Sequence, residues 1–189
     1  NCQEKIDALL HSVDLNRIRT IENASRKIQA LIRTAAIPQT IRAAIMQAFK
    51  NLDTPLVAVR SSATAEDGSA ATWAGQLESY LNITEKNIFK RILCCWASLF
   101  TPRAIFYRFE NNMHSENISV AIIIQKMIES EISGVAFSVH PVTENPNQLI
   151  IEAGLGLGEA IVSGQITPDS YIIQKMPRQI IKKSVAIQK

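Results

Sequence analysis

Apolar residues recur at helical spacing over the first fifty positions. Ile21, Ala24, Ile28, Leu31 and Ile32 fall on one face of a helix that Asp14 is placed to cap. After Pro38, the residues Ile41, Ala44, Ile45, Ala48 and Phe49 repeat at i, i+3, i+4, i+7 and i+8, with Arg42 and Gln47 turned away. At Pro55 the period changes. Leu56 to Val59 form a short apolar, β-branched run that stops at Arg60 and opens into small residues from Ser61 to Gly75, the pattern of a strand feeding a long loop. A short strand around Tyr80 follows, and Ile88, Ile92, Cys95 and Leu99 mark another helix. Thr101 and Pro102 supply an N-cap and a first-turn proline for the next helix.

The second half reads as strands over 118–128, 134–139, 149–152, 171–174 and 180–187, with one short helix near 158–163. The chain is therefore expected to be α+β, with a helical N-terminal segment over 1–52 and mixed strands and helices over 53–189.

The 189 residues, 47% of them hydrophobic, suffice to bury a substantial core. A net charge of +3 is spread along the chain without the basic stripe that nucleic acid binding requires. The sequence has no run of about 18 apolar residues and no signal-peptide pattern, so a cytoplasmic chain away from the membrane is expected. Cys2, Cys94 and Cys95 are odd in number and lack a second Cys/His cluster, so they read as small core residues. Sequons headed by Asn23, Asn82 and Asn117 read as chance matches in a chain without a secretory signal. The start at Asn1 suggests a segment of a longer protein.

Three segments are candidates for chemistry. In 57–76 a strand ending in Arg60 leads into Ser, Thr, Ala and Gly, a backbone free to aim N–H groups at an anion beside hydroxyls and a guanidinium. A solvated loop in which Arg60 pairs with Glu66 or Asp67 explains the composition equally well. In 152–164 Gly154, Gly156 and Gly158 punctuate a strand-to-helix turn. Glu159 stands where a dinucleotide fingerprint needs its third glycine, and close backbone packing accounts for the glycines as readily. In 122–141 two apolar strands read as a core hairpin, with His140 before Pro141 as a surface or capping imidazole.

Together these segments resemble the nucleotide-binding domain of the pyruvate phosphate dikinase superfamily, and its pyruvate, water dikinase (phosphoenolpyruvate synthase) branch in particular. The marks are VAVRSSATAED over 57–67, WAGQLESYLN over 73–82, QKM over 125–127, SGVAFSVHPVT over 133–143 and IIEAGLGLGEAIVSGQITPDSYII over 150–173. The resemblance implies an ATP-grasp fold, here partial, with nucleotide between two α+β lobes. By position it makes Arg60 a phosphate-contacting, catalytic residue, and Thr72, Trp73, Ala74, Gly75, Gln76 and Ser79 parts of a phosphate-covering loop. Gln125, Lys126, Met127 and Ile128 become the hinge whose backbone reads the adenine edge, and Glu152 and Glu159 brace the site.

ATP and Mg²⁺ are the implied cofactors, with the metal ligands outside this chain. The implied partners are a swivelling phosphohistidine domain and a pyruvate-binding domain of a parent enzyme, with pyruvate as acceptor. A rifamycin-type antibiotic phosphotransferase and a non-catalytic nucleotide-binding module are the alternatives. The family's Gly-Gly-Lys and Gln-Ser-Arg-Pro segments are not found in the sequence, so the isolated chain is expected to be inactive.

Overall fold

The computed structural model describes residues 2–64, 77–111, 113 and 118–186. The chain divides into two compact units, 1–127 and 128–189. The first holds α1 (Cys2–His11), α2 (Ile18–Arg33), α3 (Gln39–Asn51), β1 (Val57–Ala63), β2 (Ser79–Ile83), α4 (Ile88–Ser98), α5 (Pro102–Glu110) and β3 (Val120–Lys126). Its sheet has the order β2-β1-β3 and is antiparallel throughout.

The core of this unit lies between the sheet and α3 and α4. Val57 and Val59 of β1, Ile88, Ile92 and Cys95 of α4, Phe49 of α3, Ile37 and Ile83 form one buried cluster. A second cluster joins Ile6 of α1 to Ala24 and Ile28 of α2. Ser25, fully buried on α2, donates its hydroxyl to the Phe100 carbonyl at 2.7 Å, so the burial leaves no hydroxyl proton unpaired.

Several expectations are corrected by these elements. Asp14 does not cap α2. Its carboxylate accepts from the Asn16 N–H at 3.0 Å and pairs with Arg17 at 3.6 Å, a turn that delays the helix to Ile18. On α3 only Phe49 is buried, Ile45 is half-buried, and Ile41, Ala44 and Ala48 are exposed. Arg42, expected to face away, lies 4.0 Å from the Phe89 ring centroid. Cys94 and Cys95 are buried as expected, but Cys2 is exposed. The cap at Thr101 is formed: its side chain accepts from the Ala104 N–H at 3.2 Å, with Pro102 beginning α5.

The second unit is an antiparallel sheet of order β4-β5-β6-β7, built from β4 (Ile132–Phe137), β5 (Gln148–Leu155), β6 (Asp169–Gln174) and β7 (Gln179–Ser184), with α6 (Gly158–Val162) after β5. β5 runs through Ala153, Gly154 and Leu155, past the point where a glycine-rich turn was expected. Gly154 pairs with Ser133 inside the ladder, and a Cβ on it would stand 2.6 Å from Ile166 Cδ1. Gly156 is the true turn residue, with φ of +80°. The architecture is α+β.

Candidate functional site

β1 presents two unlike faces. Val57, Val59 and Ala63 are buried on one face; on the other, Ala58 is buried as well and Arg60 is exposed. The strand does not stop at Arg60. Ser61, Ser62 and Ala63 continue it because β3 pairs with it as far as Ala63↔Val120, supplying backbone partners that the small residues could not find alone. Across the open face Ala58, Arg60 and Ser62 stand opposite Gln125, Ile123 and Ala121 of β3, and Ser79 of β2 stands opposite Arg60.

This arrangement lines an open cavity of about 550 Å³ with Leu52, Arg60, Ser61, Ser62, Ile123, Ile124, Gln125 and Lys126. Arg60 Nη1 lies 3.5 Å from Gln125 Oε1, and Lys126 Nζ lies 3.4 Å from the Asp53 carbonyl. Both cations are exposed, so neither charge is consumed by a buried ion pair. The cavity thus combines two cations and two serines with apolar lining from Leu52 and the exposed Ile123, while Ile124, opposite Val59, borders it from the core face.

Of the residues expected from the sequence, Arg60, Gln125 and Lys126 meet in this cavity, and Ser79 adjoins Arg60 in register. Met127 ends the first unit, and its N–H is occupied, donating to the Leu56 carbonyl at 3.1 Å. Alternation in an antiparallel ladder therefore turns the backbone groups of Lys126 away from β1, toward the outer edge of β3. Ile128 opens the second unit and is exposed. Thr72, Trp73, Ala74, Gly75 and Gln76 lie outside the described residues, as do Glu66 and Asp67. Sequence reasoning missed Leu52, Ser61, Ser62, Ile123 and Ile124; once the β1–β3 pairing is known, period-two alternation puts Ser62 and Ile123 on the face of Arg60 and leaves the other three unmarked.

Beneath β2 the connections are dense. Ser61 Oγ donates to the Glu78 carbonyl at 2.7 Å, Cys95 Sγ approaches the same oxygen at 3.6 Å, and the Glu78 N–H reaches Ser98 Oγ at 3.3 Å. The Tyr80 hydroxyl donates to the Glu78 carboxylate. Burial first, and then the Glu78 carboxylate, hold the Tyr80 phenol well above its ordinary range; the same two causes push the Cys95 thiol up to about 12.

In the second unit Ala153, Gly154, Leu155, Ile166, Thr167 and Asp169 line a smaller, mostly apolar cavity of about 180 Å³. His140 accepts from the N–H groups of Val142 and Thr143, each at 3.2 Å, and so caps its own turn. Among the described residues no three His, Cys, Asp or Glu side chains converge to hold a metal ion, and no helix is long and apolar enough to cross a membrane.

The central strand of the first unit thus carries an exposed arginine into an open cavity with two cations, and comparison defines the class of the chain. The family described as pyruvate phosphate dikinase, AMP/ATP-binding domain, matches residues 1–189, and the chain belongs to it.

Its curated relatives are more particular. A probable phosphoenolpyruvate synthase of Methanocaldococcus jannaschii is 44% identical over 190 residues, covering 97% of this chain and 16% of that protein. A probable phosphoenolpyruvate synthase of Archaeoglobus fulgidus is 43% identical, covering 98% of this chain and 25% of that protein. The phosphoenolpyruvate synthase of Pyrococcus furiosus is 39% identical, over 97% of this chain and 23% of that protein. The chain spans a quarter or less of the length of these relatives.

Proposed function

We propose that the chain is the ATP-binding part of a phosphoenolpyruvate synthase-like phosphotransferase of ATP-grasp architecture. Such an enzyme moves phosphate from ATP through a phosphohistidine on a swivelling domain to pyruvate on a third domain, and works in the cytoplasm. The observation that carries the reading is the family match over all 189 residues, with three curated relatives of one activity name.

The open face of β1 suits the ligand. Leu52 and Ile123 offer apolar surface for a base, and Arg60 and Lys126 offer charge for phosphates. Arg60 is the stronger of the two candidates, because a planar guanidinium can meet two phosphate oxygens at once. Developing charge on a transferring phosphoryl group is stabilised best by donors fixed in advance, and a residue in the central strand of a sheet is so fixed. The outer-edge backbone groups of Lys126 are the hinge groups free to pair with an adenine edge, a refinement that sets Met127 N–H aside.

Mg²⁺ would travel with the nucleotide and supply charge neutralisation; the described residues offer it no ligand cluster of their own. The reading is tested by displacement of a fluorescent ATP analogue from the purified chain. Displacement by ATP, with tripolyphosphate and adenosine each competing less well, is expected; an analogue that fails to bind, or that ATP fails to displace, refutes it.

A further inference from the structure

The register of β2 contains a one-residue shift that decides which of its side chains joins Arg60. Val57 pairs with Ile83. An unbroken antiparallel ladder from that pair would set Arg60 against Tyr80 and Ser61 against Ser79. The observed partners are instead Val59↔Tyr80 and Arg60↔Ser79, so β2 holds one extra residue between Tyr80 and Ile83. Asn82 lies in that interval with φ of +56°, the left-handed conformation that non-glycine residues rarely adopt and that Asn tolerates best.

A slip of one residue exchanges the two faces of a strand. With the bulge in place, Tyr80 turns toward the core: its ring lies 4.6 Å from the Arg91 guanidinium, and it packs against the Val57–Val59 cluster. Ser79 then turns to the open face, exposed beside Arg60. Without the bulge these two residues would trade places. The shifted register is held from below by the bonds that Ser61, Ser98 and Cys95 make to the Glu78 backbone.

We infer that Asn82 is a positioning residue for the nucleotide face, its left-handed backbone creating the bulge that delivers Ser79, rather than Tyr80, to Arg60. The inference rests on the proposed function for what the face binds, but not for the register itself.

The test compares Asn82→Gly, which keeps the left-handed conformation at no steric cost, with Asn82→Val, which opposes it. Glu144→Val is the control, since Glu144 has a φ of +55° in a turn of the second unit and its strain is the same in kind. Two signals are read: MgATP affinity by calorimetry, and the ionisation of the Tyr80 phenol in ring-labelled protein. Asn82→Val should weaken MgATP about tenfold and bring Tyr80 back toward its ordinary ionisation near pH 10, while Asn82→Gly and Glu144→Val leave both unchanged. Wild-type behaviour of Asn82→Val in both signals overturns the inference, and so does Asn82→Gly failing as badly as Asn82→Val.

If Asn82→Val does not fold, Asn82→Ala takes its place, with an affinity expected below that of the Gly variant; equal affinities overturn the idea. Should Arg60→Ala leave MgATP binding untouched, the proposed function fails, and the Tyr80 signal still decides the register claim.

Discussion

Two isoleucines on similar helical stripes should differ sharply in what they contribute. Ile92 of α4 is 1% exposed and sits in the cluster with Val57, Val59 and Cys95, whereas Ile41 of α3 is 47% exposed. Truncating a fully buried isoleucine to alanine removes its transfer free energy and leaves a cavity between α4 and the sheet, together about 2–5 kcal/mol; the exposed position should lose less than about 1 kcal/mol. With a urea slope of about 2 kcal/mol/M, Ile92→Ala lowers the midpoint of the first unit's unfolding by roughly 1–2.5 M, and Ile41→Ala by under roughly 0.5 M. The assay is urea titration followed by far-ultraviolet circular dichroism. A loss below about 1 kcal/mol at Ile92, or equal losses at the two positions, would refute the placement of the core between α4 and β1.

The remaining predictions concern thiols and glycines. Native protein at pH 8 should yield one rapidly reacting thiol, Cys2, and three after unfolding, because Cys94 and Cys95 are buried. The Cys95 thiol rises from 9.0 to about 12 on folding, so the unfolded chain loses that proton first. The associated stability is complete below pH 9 and is lost as pH climbs toward 12, a decline that Cys95→Ala should lessen in alkaline urea titrations. Gly134→Ala sets a Cβ 2.8 Å from the Glu152 carbonyl oxygen and should loosen the β4–β5 ladder by about 1–3 kcal/mol. Gly158→Ala meets Ser133 Cβ at an ordinary 3.7 Å and should change little; hydrogen exchange of the β5 amides separates the two.

What the sequence made legible is what local chemistry decides. The Thr101–Pro102 start of α5, the apolar face of α4 and the succession of later strands along the chain all follow from spacing, capping and turn residues, and all stand in the structure. The misreadings occurred where a distant partner decided the matter. Ser61–Ser62–Ala63 has the composition of a loop and becomes strand because β3 lies beside it. Gly154 looks like a turn residue and is ladder, because Ile166 fills the space of its missing side chain. Ile41 belongs to the apolar stripe of α3 but stays 47% exposed, while Phe49 of the same stripe is buried in the core.

The candidate site shows the same division. Arg60 and Gln125 are marked by motif, but their 3.5 Å approach and the placement of Ile123 opposite Arg60 depend on the β1–β3 register. The bulge at Asn82 left no mark in the hydrophobic pattern, since a single left-handed residue changes neither composition nor periodicity. The division into compact units after Met127 is equally unmarked by that pattern.

The central claim, that the Arg60 face of β1 holds the phosphates of ATP, is tested most directly by calorimetric titration of MgATP into the wild-type chain, Arg60→Ala and Arg60→Lys. A charge-assisted bond to phosphate contributes about 1.5–3 kcal/mol, so Arg60→Ala should weaken saturable wild-type binding by roughly 10- to 150-fold, with Arg60→Lys between the two. An Arg60→Ala variant that keeps both its fold and the wild-type affinity, or a wild-type chain that gives no saturable heat, would contradict the claim.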